Sequence, residues 1–189
     1  MSLELLVGPM FAGKSSALQS IVKRHQSLGW NMLVLNHSSD IRYGTSSSVI
    51  NHDKQVVPAI SIKELIPMLK EREFLYAQLI VIDEAQFFDD GLPDVCNQLA
   101  NQGIRVIIAG LDMDFKGRPF GPMPHLLAIA EFVTKVHAIC MQCGSIAQYS
   151  YRFSKNGGQV QLGEKDQYEP RCRKCFVTGM AEQAADIRK

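Results

Sequence analysis

Residues 8–15, Gly8-Pro9-Met10-Phe11-Ala12-Gly13-Lys14-Ser15, spell a complete G-x-x-x-x-G-K-S phosphate loop. The apolar run Leu3-Glu4-Leu5-Leu6-Val7 precedes it. A stretch with helical spacing follows, with Ala17, Leu18, Ile21, Val22 and Leu28 on one face. A chance glycine-rich turn has no need of that flanking order, whereas a phosphate loop does. Its backbone N–H groups surround the phosphates, and the helix that starts at Lys14 aims the positive end of its dipole at them. Lys14 is then placed to reach the β- and γ-phosphates, and Ser15 to hold Mg²⁺ through its hydroxyl. The expectation is a strand–loop–helix unit that binds a nucleoside triphosphate, and the open question is what receives the phosphate.

The rest of the first 138 residues supports one α/β layer system. Strands are expected at 3–7, 32–36, 79–83, 104–109 and 132–137, and helices at 14–28, 61–73, 91–102 and 122–130. Leu79-Ile80-Val81-Ile82 and Val106-Ile107-Ile108-Ala109 are unbroken apolar runs, the pattern of parallel strands covered on both faces. Gly29 suits the C-cap of the first helix, and Ser61 with Glu64 makes a capping-box pattern for the second, where Pro67 should introduce a kink. Segment 37–55 is polar and reads as a loop or a weak hairpin. The expected fold is a P-loop NTPase-like, mostly parallel sheet flanked by helices over residues 1–138. From about residue 139 cysteines, glycines and a proline replace that rhythm, so 139–189 reads as a second, small domain whose last ten or so residues form a frayed helix.

With 189 residues the chain has room for one main domain and an appendage. No apolar run approaches the ~20 residues that span a bilayer, and no secretion signal is apparent, so the expected location is cytoplasmic. The formal net charge of +1 gives no general electrostatic reason to expect nucleic acid or a membrane surface.

Val81-Ile82-Asp83-Glu84-Ala85-Gln86 ends a buried strand with two carboxylates. In a phosphate-loop fold the Asp at such a strand end holds Mg²⁺, and alternation along the strand should turn Glu84 another way, toward an acceptor. A kinase needs a group that takes or orients the acceptor's proton, which a carboxylate can do. An ATPase would use the same carboxylate on water, and a solvated strand end is the bland alternative. The Asp-Glu-Ala-Gln string also looks like a helicase motif, but helicases of that kind use two α/β domains.

Of five cysteines, four fall into two C-x-x-C pairs, Cys140/Cys143 and Cys172/Cys175. Two such turns give a tetrahedral four-thiolate site, the usual geometry of structural zinc, with no position left open for catalysis. The alternative is two pairs of free thiols. Zinc there would close loop 144–171 and supply much of its ordering free energy. Arg171, Arg173 and Lys174 are placed to offset the thiolate charge, and Cys96 reads as a small core residue.

Taken in order, the phosphate loop with Pro9-Met10-Phe11 inside it, Asp40-Ile41-Arg42-Tyr43, Asp83-Glu84-Ala85-Gln86-Phe87-Phe88, Leu111-Asp112-Met113-Asp114-Phe115-Lys116-Gly117-Arg118-Pro119-Phe120 and the cysteine pairs resemble the cytosolic-type (type II) thymidine kinases over about residues 3–176. The resemblance implies transfer of the γ-phosphoryl group of ATP to the 5′-hydroxyl of thymidine for nucleotide salvage and DNA synthesis, in a homotetramer. It places Glu84 on the proton acceptor and Arg42 on the arginine near the 5′-oxygen. ATP and Mg²⁺ would be held by Gly8 to Ser15 and by Asp83, Glu84, Ala85 and Gln86. Ala85 stands where many members have glycine. Met10, Phe87, Leu111, Phe115 and Phe120 fall on the residues around the base, for which plain core packing is the alternative. The zinc-closed loop corresponds to a lasso in which Val160, Gln161, Leu162 and Gly163 present backbone groups to the pyrimidine edge. Tyr168 packs nearby and Ser150 approaches the methyl side. Gln161 stands where an apolar residue is expected. Two other readings stay open: a kinase for another deoxynucleoside, and a zinc-ribbon, nucleic-acid-binding ATPase. The second has a local basic tint from Lys155, Lys165, Arg171, Arg173 and Lys174 but no stacking stripe of aromatic residues.

Overall fold

In the computed structural model, residues 2–37, 48–50, 56–62, 76–154 and 167–187 are described. The central element is a six-stranded sheet made of β1 (Leu3–Val7), β2 (Met32–His37), β5 (Ile60–Ile62), β6 (Leu79–Asp83), β7 (Arg105–Gly110) and β8 (Phe132–Lys135), in the order β5-β2-β6-β7-β1-β8. Every pairing in it is parallel. Alternation along the buried strands explains the unbroken apolar runs. Ile80, Ile82, Val106 and Ile108 join Leu3, Leu5 and Val7 on one face. They pack there against Leu92, Val95, Cys96 and Leu99 of helix α2 (Leu92–Asn101) and Met123 and Leu126 of α3 (Met123–Ile129). Leu79, Val81, Ile107 and Ala109 join Leu6 on the other face under Leu18 and Val22 of α1 (Lys14–Ser27). With both faces covered, the residues of β6 and β7 between their ends are apolar. Each large side chain buried there contributes about 1.5–3 kcal/mol.

The five expected strands and the expected helices 14–28, 91–102 and 122–130 fall within a residue or two of where they form, while 63–73 of the expected helix 61–73 lie outside the described residues. Helix α1 ends as expected, with Gly29 at φ 71 just beyond it and its N–H donated to the Gln26 carbonyl. One expectation is corrected. Ser61 does not open a helix, because Ile60–Ile62 is a strand, with Leu35 facing Ile60 and His37 facing Ile62 across the β2–β5 pairing. Ile-Ser-Ile is a period-two pattern, and pairing with β2 prevails over the capping-box signal. Glu64 and Pro67 lie outside the described residues. Of segment 38–55 only Ser48–Ile50 is described, as β3, and it pairs antiparallel with β4 (Val56–Pro58) just beyond the segment.

Beyond the sheet, β9 (Ala138–Ile139) pairs antiparallel with β10 (Ile146–Ala147), and β11 (Tyr149–Arg152) with β12 (Tyr168–Arg171). Helix α4 (Arg173–Ile187) begins inside the second C-x-x-C and runs well beyond the short frayed helix expected there. Among the described residues no helix is long and apolar enough to cross a membrane.

Candidate active site

Because the sheet is parallel, the carboxyl ends of its strands share one edge, the side on which open α/β sheets bind ligands. The phosphate loop leaves β1 there. Gly8 has φ 152, and a Cβ on it would lie 2.2 Å from the Val136 carbonyl oxygen, so the loop's first turn admits glycine alone. Gly13, at φ 80, stands at the N-cap of α1 and supplies no side-chain hydrogen bond to its first turn. Lys14 is buried, and its Nζ donates to the carbonyls of Gly8 (3.0 Å) and Pro9 (2.8 Å). Two contacts tie this loop to the cysteine-bearing region. The Met10 N–H donates to Ser150 Oγ on β11 at 3.0 Å, and Ala12 packs against the cluster of Ala138, Cys140 and Ala147.

Strand β6 delivers Asp83 to the same edge, with β7 lying between β6 and β1. Alternation along a strand does not set the direction of Glu84, because the strand ends at Asp83. Glu84 sits in the left-handed region at φ 55 and ψ 40, ahead of a 3₁₀ turn at Ala85–Phe87. Its N–H donates to Asp83 Oδ1 at 2.9 Å. Its carboxylate oxygen Oε2 accepts from Gln86 Nε2 at 2.6 Å, and Gln86 Oε1 in turn accepts from the Leu111 N–H at 2.8 Å. Gln86, grouped by resemblance with the nucleotide contacts, therefore has both ends of its amide engaged by protein. Ala85 is wholly buried in the turn.

Of the residues expected around a base, Phe87 and Phe120 touch each other and Phe115 is held from β11. Phe87 meets Phe120 edge-on with ring centroids 5.8 Å apart, and His37 lies against Phe87 and Phe88 at 6.1 and 4.8 Å. Phe115 is covered by Arg152, whose guanidinium carbon is 3.5 Å from the ring centroid. Arg152 and Ser150 share one face of β11, so the strand that touches the Met10 N–H also grips Phe115. The 114–118 turn holds Phe115 out because Asp114 Oδ1 accepts from the N–H groups of Lys116 (2.8 Å) and Arg118 (3.0 Å). Leu111 heads this segment, and Lys135 Nζ on β8 pairs with Asp112 Oδ2 at 2.6 Å. Tyr168 is buried on β12, opposite Arg152. Arg42 and Val160, Gln161, Leu162 and Gly163 lie outside the described residues. The chain on either side of 155–166 is drawn together by the Phe153 N–H donated to the Gln167 carbonyl at 3.0 Å.

Sequence reasoning did not single out Arg152 or His37. Arg152 follows two tyrosines in a short strand, and only the pairing of β11 with β12 reveals which face it uses.

The sulfurs of Cys140, Cys143, Cys172 and Cys175 all lie within 4.8 Å of one another. Those of Cys143 and Cys172 are 3.6 Å apart, too far for a disulfide and close to the ~3.8 Å between thiolates on a tetrahedral ion with Zn–S of ~2.3 Å. The donor set and spacing fit structural zinc. Arg171 does not point its charge at the sulfurs. It stacks over Tyr151 at 3.4 Å, bonds Glu169 at 2.6 Å and donates to the Cys175 carbonyl at 3.3 Å. Cys96 has no exposed surface, and burial pushes its thiol up to about 12, as an inert core residue requires.

Comparison with known proteins agrees with this geometry. The family model described as thymidine kinase matches residues 1–176. A protein named thymidine kinase from Bacteroides thetaiotaomicron is 47% identical over 185 residues, covering 98% of this chain and 92% of the relative. One of the same name from Porphyromonas gingivalis is 45% identical over 93% of this chain and 84% of its own. Among solved structures, the flagellar accessory protein FlaH from Methanocaldococcus jannaschii aligns with a TM-score of 0.52 at 13% identity over 78% of each chain, a likeness of fold alone. A family model that matches residues 1–176 and relatives 45–47% identical over nearly the whole chain show that the chain belongs to the thymidine kinase family.

Proposed function

We infer that the chain is an ATP-dependent thymidine kinase. It moves the γ-phosphoryl group of ATP to the 5′-hydroxyl of thymidine, and of deoxyuridine, giving the nucleoside monophosphate and ADP. The observation that carries this reading is the Met10 N–H bond to Ser150 Oγ, which joins the phosphate loop to the strand that grips Phe115. That link supports a phosphate cradle and an aromatic slot for a flat pyrimidine on one side of the sheet.

In this reading Lys14 and the loop N–H groups hold the nucleotide's phosphates, and Glu84 takes the proton of the 5′-hydroxyl as its oxygen attacks phosphorus. Arg42 stabilises charge on the transferring group. The hydroxyl of Ser15 and the carboxylate of Asp83 are the hard oxygen donors Mg²⁺ prefers, and would hold it. When bound, the ion neutralises charge on the phosphates. Phe87, Phe115 and Phe120 enclose the base and exclude water. Backbone groups of Val160, Gln161, Leu162 and Gly163 read its edge, with Tyr168 beside them. Such an edge rejects cytosine, whose reversed donor and acceptor would leave polar groups unpaired. Strand β8, with Phe132 at 61% and Val133 at 46% exposure on the outer edge of the sheet, supports assembly with further copies into a homotetramer.

The test is transfer from labelled ATP to a nucleoside panel, with the same preparation sized by sedimentation equilibrium. Thymidine and deoxyuridine should be phosphorylated, deoxycytidine should not, and the particle should have four times the chain mass. Equal turnover of deoxycytidine would refute the edge-reading pocket. ATP hydrolysis stimulated by DNA without nucleoside transfer would replace the kinase with a nucleic-acid ATPase, and a monomer would refute the tetramer.

A further inference from the structure

We propose that Gln86 is a positioning residue for phosphoryl transfer: its amide N–H anchors Oε2 of Glu84 and so sets the direction in which that carboxylate meets the acceptor hydroxyl, while its carbonyl ties the carboxylate to the loop that carries the base pocket. This rests on the reading of Glu84 as the proton acceptor.

The orientation of the Gln86 amide is decided by its partners. A backbone N–H can only donate, so the oxygen of the amide must face Leu111, and the NH₂ must then face Glu84. At 2.6 Å, and with an ionised acceptor, the second bond is of the stronger, charge-assisted kind. Gln86 is 2% exposed and Glu84 8%, so water competes little for either. Two glycines pack closely against the glutamine, one at its side chain and one at its backbone. A Cβ on Gly110 would come within 3.0 Å of Gln86 Oε1, and one on Gly121, itself at φ 49, within 2.4 Å of the Gln86 carbonyl oxygen. Both glycines make room for this residue.

Glu84 needs such an anchor. Its backbone is in a conformation uncommon for a residue with a side chain, so no strand or helix periodicity directs the carboxylate. A base must be held within about half an ångström of its working position. Leu111 leads into the segment that carries Phe115 and Phe120. One side chain therefore links the position of the base to the walls around the nucleoside.

The experiment measures single-turnover phosphoryl transfer, KM values and melting temperature for three variants. Gln86→Met removes both hydrogen bonds at similar size. The expected result is a rate about tenfold to a hundredfold lower, with KM for ATP and thymidine within about threefold of the parent. Gln86→Glu keeps an acceptor for the Leu111 N–H but sets an acceptor against Glu84, and its rate should fall at least as far. If bracing Leu111 were the whole role, Gln86→Glu would restore the parental rate, and that result overturns the inference. It also carries the test should Gln86→Met fail to fold. In a Glu84→Gln background, Gln86→Met should cost nothing further, and an equal additional loss would also overturn it. Glu84→Gln alone should lower the rate by about two to four orders of magnitude. Parental turnover in that variant removes Glu84 from the mechanism and Gln86 with it. A low rate there beside parental turnover in both Gln86 variants refutes the positioning role alone.

Discussion

At Gly8 a single hydrogen stands where other residues carry a Cβ, and that Cβ would meet the carbonyl oxygen of Val136, a group fixed by its place just after β8. The Val136 N–H donates to the Val7 carbonyl at 2.8 Å, so the neighbour cannot retreat without unzipping β8 from β1. Gly8→Ala should therefore push the loop off its cradle geometry. The expected outcome is an ATP affinity at least about tenfold weaker, with a lower melting temperature, read by calorimetric titration. Parental affinity would mean the loop tolerates a different first turn. The need for glycine here is legible in sequence, because the loop motif states it. The direction of Glu84 is not, since a strand pattern says nothing about the first residue beyond the strand. The placing of Arg152 over Phe115 is equally silent: two aromatic–cation partners so distant in sequence meet only once β11 has a position.

Among elements, the four-cysteine region is the one whose order depends on something besides its own side chains. Tyr149 and Tyr151 of β11 pack on Phe176, but around the sulfurs the core is only Ala138, Cys140 and Ala147 with Ala12, Cys172 and Cys175, too little apolar surface to hold the β9–β10 hairpin by itself. Yet β11 delivers Ser150 to the phosphate loop and Arg152 to Phe115. Stripping metal with a strong chelator, or Cys172→Ser, should release the zinc and weaken thymidine binding by at least about tenfold. ATP binding should weaken by a smaller factor, because the loop keeps its strand and helix and loses only the Ser150 and Ala12 contacts. Equal losses for both ligands, with loss of the far-ultraviolet signal of the sheet, would instead make the metal a support of the whole fold. The elements that were legible in sequence are those with a strong physical signature. Doubly covered strands read as continuous apolar runs, and paired C-x-x-C turns read as a metal clasp. Strand β5 was not legible, because three residues give too short a period to outweigh a capping-box pattern. The full length of α4 was hidden because its apolar contacts, such as Phe176 stacked on Tyr149 at 4.3 Å, come from the ribbon it covers.

In the whole molecule the site occupies the carboxyl edge of the sheet, and a second polar cluster occupies the opposite edge. At the start of β1 and β7, Arg105 grips Glu4 in two-pronged fashion, Nε to Oε1 at 2.7 Å and Nη2 to Oε2 at 2.9 Å, and Ser2 Oγ donates to Oε1 at 2.6 Å. His25 near the end of α1 completes the cluster. Its Nδ1–H donates to the Ile21 carbonyl at 2.8 Å, which leaves Nε2 to accept from Arg105 Nη1 at 3.0 Å. Sheet and helix are thus joined by a hydrogen-bonded cluster at the edge opposite the candidate site. The hydrogen bond from Arg105, aided by Ser2, holds the Glu4 carboxyl below its ordinary value of 4.5 despite partial burial, and the same pairing raises the guanidinium. A carboxyl lowered by folding adds stability that is fully present above its unfolded value and is lost as pH falls through the folded one. The pair is partly exposed, so salt screens it and the effect is modest. Arg105→Met should lower the melting temperature near pH 7 and remove part of the further decline below about pH 4.5. Phosphoryl transfer at neutral pH should stay within about twofold of the parent, since the lost contacts are at the far edge. The decisive quantity is the gap between the two melting curves, because other carboxylates titrate in both proteins alike. A gap that narrows with acid, and narrows less steeply in high salt, locates the effect in this pair. A constant gap from pH 7 to about pH 3 would mean that Arg105 stabilises the sheet through its packing rather than its charge.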